Sequence, residues 1–291
     1  MISDKNNYLK NLNSFYQDAI NFTKSHYENF PVISLFIKKE LRKHTAIVYQ
    51  FARQADDIAD EGNLKPDERI KLLDDYEDNL RSCLKQEASN GFWFALSNTI
   101  KEKHLTPENF YNLLKAFKQD VIKKRYKTYS ELLSYCSNSA NPVGRIILEL
   151  HDIHGKNILE YSDNICTALQ LTNFYQDVSL DFEKGRIYIP QDEMKQYGID
   201  EHTFEIKENN SKFQALIKFE VERVEKLFDN GRNLLHHLPL LLKIQILLTI
   251  KGGEAILEKI KKNNYDVLNK RPTLSKMDFI KLALQTLLKG K

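Results

Sequence analysis

Aspartates spaced four residues apart occur in two segments of this sequence, and both segments have the pattern of a helix. In the first segment, residues 49–60, Asp56 and Asp60 follow Tyr49 and Arg53. At about 100° per residue, these four side chains fall within roughly 60° of one helix face. Carboxylates four apart on a helix repel each other, and burying them unpaired would cost far more. The pattern therefore indicates a site at which a cation neutralises the carboxylates.

The second segment, residues 170–181, repeats the aspartate spacing and adds two amides. Gln170, Asn173, Asp177 and Asp181 fall within roughly 80° of one face by the same geometry. Carboxylate oxygens suit Mg²⁺, which typically keeps several waters and bridges to substrate phosphates. Two such stripes facing each other would bind divalent cations and hence a diphosphate. The predicted Mg²⁺ ligands are Asp56, Asp60, Asn173, Asp177 and Asp181.

A solvated helix face with local ion pairs is the alternative interpretation of a single aspartate pair. Apolar neighbours argue against it in both segments, because they leave little room for an open surface helix. These neighbours are Phe51, Ala52, Ala55, Ile58 and Ala59 in the first segment, and Leu171, Phe174, Tyr175, Val178, Leu180 and Phe182 in the second. Carboxylate pairs of the glycosidase type are compatible with the spacing, but a metal cluster suits paired helical stripes better.

Other catalytic and metal-binding patterns are weaker. His151 and His154 are three residues apart on a predicted helix, but no third ligand is evident. The sequence contains no H-E-x-x-H, no P-loop, no G-x-G-x-x-G and no G-x-S-x-G. Three cysteines without C-x-x-C spacing indicate reduced thiols and a cytoplasmic protein.

Composition excludes further classes of protein. The 291 residues carry a net charge of +3, so they lack the concentrated basic charge of a nucleic-acid-binding protein. Hydrophobic residues make up 42%, which argues against disorder. The most apolar run, residues 238–250, is too short to span a bilayer, and Lys243 interrupts it. We predict that this run is a buried helix and that any membrane contact is peripheral.

Helical periodicity dominates the chain, and ten glycines and seven prolines are too few for an all-β protein with many tight turns. We predict one all-α domain, residues 1–291, of about ten helices. The predicted helices cover residues 34–61, 66–86, from 107 onward, 129–139, 142–160, 162–183, 212–235, 238–262 and 275–289. Residues 186–190 are predicted to be extended, after Gly185 ends the second acidic helix.

Together these segments resemble the squalene/phytoene synthase family of head-to-head prenyl synthases. The resemblance rests on residues 51–60, on the stripe in residues 170–181 and on a G-R-x-Y-x-P segment at residues 185–190. Residues 135–144 resemble the family's Y-C-x-x-S-A-x-P-V-G segment, and residues 264–271 resemble a late Tyr/Arg segment. The resemblance implies a single-domain helical bundle of the class I isoprenoid synthase type, with a central cavity, acting on prenyl diphosphates with Mg²⁺.

The resemblance also implies roles for individual residues. The catalytic residues it implies are Arg53, Asp56, Asp60, Asp177, Asp181 and Tyr188. The substrate-binding residues it implies are Tyr49, Gln170, Asn173, Arg186, Tyr265 and Arg271. In these roles the aspartates would hold Mg²⁺ on the diphosphate, and the cationic and phenolic groups would donate hydrogen bonds to its oxygens.

One segment resembles a particular branch of the family. Residues 26–32 read H-Y-E-N-F-P-V, where members that make phytoene or presqualene diphosphate often carry S-x-S-F. This segment resembles the bacterial hydroxysqualene synthase branch, and it adds His26, Tyr27, Asn29 and Phe30 as expected contacts of the water or the diphosphate. The branch implies that presqualene diphosphate is ionised and rearranged, and that water captures the cation to give hydroxysqualene and diphosphate. No NADPH is therefore expected, and the product would serve squalene and hopanoid biosynthesis.

Two alternatives stay open at this point. The first is a presqualene diphosphate synthase or a squalene/phytoene-type synthase that condenses two prenyl diphosphates, such as farnesyl diphosphate, head to head. The second is a non-catalytic helical assembly factor that kept the fold. Other enzymes of squalene formation are candidate partners, and no nucleic acid is expected among them.

Overall fold

The computed structural model of this chain is all-α over the residues that it describes. Those residues are 2–26, 37–87 and 91–289. The first helices are α1 (Ile2–His26), the 3-10 helix η1 (Lys39–Leu41), α2 (Arg42–Asp60), α3 (Pro66–Leu84), α4 (Gly91–Glu102), α5 (Pro107–Ile122), α6 (Tyr129–Ser139) and α7 (Asn141–Leu150). They are followed by α8 (Lys156–Gln176), α9 (Val178–Glu183), α10 (Gln191–Gln196), α11 (Glu201–Glu205), α12 (Ser211–Gly231), the 3-10 helix η2 (Arg232–His236), α13 (Leu240–Lys262) and α14 (Lys276–Lys289). The predicted all-α class is confirmed.

The chain forms two compact units. The first unit comprises Met1–Ile122 and Pro142–His154. The second comprises Lys123–Asn141 and Gly155–Lys291. Each aspartate segment lies in a different unit, the first on α2 and the second where α8 meets α9. The prediction of a single domain over residues 1–291 stays a prediction.

In the first unit, α2 is surrounded by α1, α3, α4 and α5. Its buried face carries apolar side chains at helical spacing, with Phe51 fully buried at the centre. The Phe51 ring contacts those of Tyr76, Trp93 and Phe110, with ring centroids between 5.2 and 6.2 Å apart. Because this face is fixed in the core, helical geometry turns the stripe that contains Asp56 to the opposite side.

The predicted helix over residues 142–160 is wrong, because α7 and α8 are separate helices. Gly155 between them has φ +138°, a conformation that favours glycine and that an α-helix cannot continue through. His151 and His154 therefore do not share a helix face. The first bonds to the carbonyl oxygen of Ile147 at 2.9 Å, and the second bonds to the Asp152 carboxylate at 2.9 Å.

The predicted helix over residues 162–183 is interrupted at Asp177, where α8 and α9 meet. Asp177 has φ −105° and ψ 16°, outside helical values. Its N–H nevertheless donates to the Asn173 carbonyl at 2.9 Å, and the Asp181 N–H donates to the Asp177 carbonyl at 2.8 Å. The break therefore bends the segment locally and keeps the four-residue hydrogen bonds on both sides of it.

Two helices of the first unit, α1 and α4, were not predicted from the sequence. In α1 the buried residues Leu12, Tyr16, Ala19 and Thr23 are spaced by four, three and four positions, as one helix face requires. Three of these four are small or carry a hydroxyl, so the apolar periodicity is weak. The Tyr16 hydroxyl bonds to Thr99 Oγ1 at 2.7 Å, which ties α1 to α4 through a polar contact.

The apolar run at residues 238–250 is less buried than predicted. Leu242 and Ile250 are buried, but Leu240 and Leu241, in the first turn of α13, are exposed. None of the described helices combines the length and the apolar character that a membrane span requires.

Candidate active site

The α2 acidic cluster comprises Arg53, Asp56, Asp57, Asp60 and Glu61, at the end of α2. The Arg53 guanidinium lies 2.6 Å from Asp57 Oδ1 and 3.3 Å from Asp56 Oδ2. It also lies 3.6 Å from Glu61 Oε1. Four carboxylates and one guanidinium thus share this helix end. Asp57 and Glu61 were not among the predicted site residues, although the spacing of four residues after Arg53 is a signal for an ion pair.

The electrostatics of the α2 acidic cluster favour an added cation. Burial raises the pKa of the Asp56 carboxyl above its ordinary value, and the Arg53 guanidinium opposes that shift. The nearby carboxylates of Asp60, Asp57 and Glu61 raise this pKa further. The last turn of α2 holds no basic residue, so the negative end of the helix dipole adds to the repulsion.

The buried side chain of Arg69, on α3, closes the end of α2. Its guanidinium donates to the carbonyl oxygens of Ile58 at 2.7 Å, Glu61 at 2.9 Å and Gly62 at 2.8 Å. These carbonyls have no partner within the helix, and Arg69 satisfies them with three donors. Arg69 therefore fixes the backbone that carries the α2 acidic cluster, and nothing in the sequence had assigned it that role.

Two of the residues predicted to bind substrate meet in the first unit. The Tyr49 hydroxyl donates to the His26 carbonyl at 3.4 Å. The His26 ring stacks on Phe22 with centroids 4.0 Å apart, and its Nδ1 bonds to the Phe22 carbonyl at 2.9 Å. Burial raises the pKa of the Tyr49 hydroxyl, and the Arg53 guanidinium lowers it. The predicted contacts Tyr27, Asn29 and Phe30 lie outside the described residues.

In the second unit, the Asp177 junction is the point where α8 ends and α9 begins. Arg271 donates from Nε to Asp177 Oδ1 at 2.5 Å and from Nη2 to Asp177 Oδ2 at 3.2 Å. The Gln176 amide donates to the Pro272 carbonyl at 2.6 Å, which holds the same segment in place. The hydrogen bond that Arg271 donates to Asp177 raises the pKa of Arg271, and the charge of Asp181 raises it further. The structure therefore pairs Arg271 with Asp177, and the charge of Asp181 acts on the same guanidinium from a longer distance.

The remaining residues predicted for the second stripe differ in exposure. Asn173 is exposed on α8, and Gln170 is half-buried one turn earlier. Tyr265 is half-buried in the turn after α13, with φ +58°, directly after Asn264 with φ +53°. Arg271 follows this turn and contacts Asp177.

Beyond α9 the chain is not helical and forms an isolated parallel bridge from Ile187 to Arg125, and it carries Arg186 and Tyr188. The Arg186 N–H donates to the Asp181 carbonyl at 2.7 Å, which anchors this segment to the second stripe. The buried Tyr188 ring stacks on Phe174, with centroids 3.6 Å apart and planes within 6°. Tyr126 and Tyr135 complete this aromatic cluster at centroid distances of 5.7 and 6.1 Å from Tyr188. Tyr188 thus presents mainly an aromatic surface next to the junction.

The donors of both regions suit a divalent cation. Within the described residues, no three His, Cys, Asp or Glu side chains converge on a preformed metal site. Mg²⁺ does not require one, because it commonly binds through one or two carboxylates and takes its other ligands from water and substrate phosphates. The surplus of carboxylates on α2, together with the raised pKa of Asp56, is the feature of this structure that fits such an ion.

Comparison with known proteins identifies the chain. A family model described as squalene/phytoene synthase matches residues 23–278. The chain belongs to the squalene/phytoene synthase family. The matched region includes every predicted site residue, from His26 to Arg271. The chain is accordingly a prenyl diphosphate-dependent synthase, and the alternative of a non-catalytic assembly factor is not supported.

Several curated relatives resemble this synthase over much of its length. A hydroxysqualene synthase from Sinorhizobium fredii is 30% identical over 87% of this chain and 85% of the relative. The hydroxysqualene synthase from Rhodopseudomonas palustris is 33% identical over 71% of this chain and 70% of the relative. Among solved structures, squalene synthase HpnC from Alicyclobacillus acidocaldarius is 37% identical and has a TM-score of 0.83, covering 87% of this chain and 95% of that one. The fold is therefore of the isoprenoid synthase type.

A buried polar network in this synthase was not predicted. The Tyr175 hydroxyl, on the reverse face of α8, donates to Glu220 Oε2 at 2.5 Å. Arg223 contacts the same carboxyl and pairs with Glu193 at 2.6 and 2.9 Å. Its guanidinium also lies 3.4 Å from the centre of the Tyr129 ring. These contacts join α6, α8, α10 and α12 behind the Asp177 junction.

One carboxyl of this network is held in its neutral form. Burial raises the pKa of Glu220 to about 8, and Arg223 opposes that shift. One guanidinium faces two carboxyls here, so the more buried carboxyl, Glu220, retains the proton while Glu193 is ionised. Sequence spacing could have indicated only the pair of Glu220 and Arg223 on α12, because the other partners come from distant segments.

Proposed function

We propose that this synthase is a hydroxysqualene synthase that ionises presqualene diphosphate, rearranges the cation and lets water capture it. The products would be hydroxysqualene and diphosphate, in a route to squalene and hopanoids. The observation that carries the proposal is the identity to curated hydroxysqualene synthases, 30–37%. The curated phytoene synthases among the relatives are 24–28% identical. The H-Y-E-N-F-P segment that begins at His26 supports the same branch.

Mg²⁺ is the proposed cofactor, and each region has its own proposed ligands. Asp56 and Asp60 are the proposed ligands of the α2 acidic cluster, and Asn173, Asp177 and Asp181 are those of the Asp177 junction. When bound, the ion would neutralise charge on the diphosphate leaving group as the C–O bond breaks. The surplus of carboxylates around Asp56 supports this assignment.

The cationic side chains would bind the diphosphate oxygens directly. Arg53 already faces the carboxylates of its own helix, and Arg271 faces Asp177. Charge-assisted hydrogen bonds from such groups stabilise a developing anion. Arg186 is the third proposed contact, on the segment anchored to Asp181.

The aromatic cluster of Tyr126, Tyr135, Phe174 and Tyr188 would face the carbon chain. Aromatic faces carry negative charge and attract cations. The four rings are nearly buried, so they would also exclude bulk water while the cation rearranges. Only the water that ends the reaction would need access, and His26 is the described residue proposed to position that water or the diphosphate.

A squalene-type product is the second candidate, because the 37% identical solved structure is described as a squalene synthase. The same diphosphate site would serve both reactions. They differ in whether water or hydride from NADPH ends the reaction, and in whether farnesyl diphosphate is condensed first.

The experiment that separates these reactions supplies the purified chain with presqualene diphosphate or farnesyl diphosphate. Each incubation is run with and without NADPH, and with Mg²⁺ or a chelator, before mass spectrometry of the lipids. We expect an oxygenated C30 alcohol from presqualene diphosphate that requires Mg²⁺ and not NADPH. A C30 hydrocarbon that requires NADPH, or a C30 diphosphate formed from farnesyl diphosphate, would overturn this choice of reaction.

A further inference from the structure

An exposed apolar stripe lies on α14, the last of the described helices. Met277, Ile280 and Leu284 are 52–60% exposed, and at about 100° per residue they fall within roughly 60° of one face. The match to the family model ends at residue 278, three residues into α14. None of these three residues belongs to the diphosphate site, and packing does not explain their apolar character, because all three are exposed.

Lysines border the stripe on both sides. By the same helical geometry, Lys276 and Lys281 lie about 40° beyond its two edges, and both are exposed. The acidic residue of this segment, Asp278, points elsewhere, because it accepts a hydrogen bond from Lys259 of α13 at 2.7 Å and one from the Ser275 N–H at 2.8 Å. The α13 side of α14 is thus fixed by an ion pair, and the opposite side presents apolar residues between positive charges.

We propose that this α14 stripe docks the enzyme on an anionic membrane surface. A helix with apolar side chains between lysines is the pattern of an interfacial helix, in which the apolar face enters the lipid and the lysines reach the headgroups. The positive charge of the two lysines favours a membrane that contains anionic lipids, because such a surface attracts both side chains. The prenyl chains that the family processes are themselves lipids, so docking would place the enzyme where they are dissolved.

The α14 stripe lies outside residues 238–250, the run for which membrane contact was considered from the sequence. The most apolar run, at residues 238–250, carries Lys243 in its first turn and buries Leu242 and Ile250. The α14 stripe is shorter and less apolar, but its side chains are exposed on one face. Membrane contact depends on which apolar side chains are exposed to solvent. The α14 stripe exposes three of them on one face, whereas residues 238–250 expose two, Leu240 and Leu241.

The test is flotation of the full-length chain with vesicles, without substrate. Vesicles of phosphatidylcholine with phosphatidylglycerol are compared with vesicles of phosphatidylcholine alone. We expect binding to the anionic vesicles, weakened by salt, and at least about a tenfold loss of binding for Ile280→Glu and for Leu284→Glu. Lys276→Gln and Lys281→Gln should each reduce binding by about fivefold.

Ile206→Glu is the matched control, because Ile206 is exposed to the same degree as Ile280, 54% against 52%, in the same unit. It should bind vesicles like the unmodified chain. Circular dichroism and thermal melting check that each variant is folded. The proposal is overturned if the unmodified chain stays unbound, if Ile280→Glu binds normally, or if Ile206→Glu loses binding equally.

Sedimentation velocity tests the other possible partner of the α14 stripe, which is a second copy of this chain. A dimer that Ile280→Glu converts to a monomer, without vesicle binding by either form, would assign the stripe to self-association and overturn the proposal. Turnover of detergent-dispersed substrate by Ile280→Glu should equal that of the unmodified chain. Because vesicle binding is measured without substrate, failure of the docking proposal and failure of the proposed reaction are distinguishable.

Discussion

The α2 acidic cluster and the Asp177 junction carry the same four-residue spacing of aspartates but hold their charge in different ways. On α2, one arginine and four carboxylates come from nine consecutive residues of a continuous helix, 53–61. At the junction, Asp177 sits at a helix break, and its counter-ion Arg271 comes from 94 positions along the chain. The first region is a product of local sequence, and the second depends on a tertiary contact.

This difference has an electrostatic consequence. The α2 acidic cluster keeps a surplus of negative charge at the unfavourable end of a helix, and the pKa of Asp56 is raised. Asp177 already has a bidentate cation and lies next to the start of α9, where a carboxylate is favourable. The α2 region is thus poised to accept a cation, whereas the junction must exchange one cation for another.

The largest effect expected is on turnover, where the two regions should behave alike. Asp56→Asn and Asp177→Asn should each lower kcat by about a thousandfold, because each removes a carboxylate proposed to hold the ion that stabilises the leaving group. Steady-state kinetics with presqualene diphosphate measures this loss. Asp75→Asn, an exposed aspartate on α3, is the control and should retain full activity. Near-normal turnover in Asp56→Asn or in Asp177→Asn would contradict the assignment of these aspartates as ligands of the ion.

The buried network behind the junction should affect stability most strongly. Glu220→Ala removes the buried acceptor to which Tyr175 and Arg223 both donate, and it should lower the free energy of unfolding by about 2–3 kcal/mol. Urea unfolding followed by circular dichroism measures the change. Glu220→Gln keeps the shape of the neutral acid and should be tolerated much better.

The same network predicts a pH dependence. Burial raises the pKa of Glu220 from 4.5 to about 8 in the folded chain, so its proton stabilises the fold fully below its unfolded pKa. That contribution is lost as the pH rises through about 8. The free energy of unfolding should therefore fall as the pH rises from about 4.5 to about 8 in the unmodified chain. In Glu220→Gln the fall should be smaller, and an identical slope in both proteins would be evidence against a protonated Glu220.

Binding of Mg²⁺ without substrate should separate the two regions. In Arg271→Ala the Asp177 carboxylate loses its competing cation, so Mg²⁺ should bind about threefold to fivefold more tightly, as removal of an exposed ion pair suggests. Isothermal titration calorimetry measures this affinity. Arg271→Lys keeps the charge and should stay near the unmodified value. Weaker binding in Arg271→Ala would show that Arg271 does not compete at this carboxylate.

The smallest effects are on thermal stability, and substitutions in the two regions should shift Tm in opposite directions. The raised pKa of Asp56 means that stability is lost as the pH rises from the ordinary carboxyl pKa to the raised one, so the ionised form weakens the folded state near neutral pH. Asp56→Asn should therefore raise Tm near neutral pH by roughly 1 °C. Asp177→Asn breaks the ion pair to Arg271 and should lower Tm by a similar amount. Scanning calorimetry of both variants tests the comparison, and shifts of the same sign would refute it.

Much of the fold could be predicted, because it depends on local signals. The end of α2, two residues before Gly62, and the start of α5 after Thr106 follow from capping and turn residues. The helix α1 was missed because its buried side includes Tyr16 and Thr23, whose hydroxyl groups make the face look polar. The break at Asp177 was missed because the hydrogen bonds on both sides keep the helical spacing.

The sequence alone determined the all-α class, the two aspartate stripes and the family, because helical spacing and short motifs are properties of neighbouring residues. It could not indicate that Arg69 closes α2 or that Tyr175 joins Glu220 behind the junction. It suggested Arg271 as a ligand of diphosphate but not as the partner of Asp177. These contacts join residues far apart in the chain, and their strength depends on burial and orientation. Only the packing of the helices decides both.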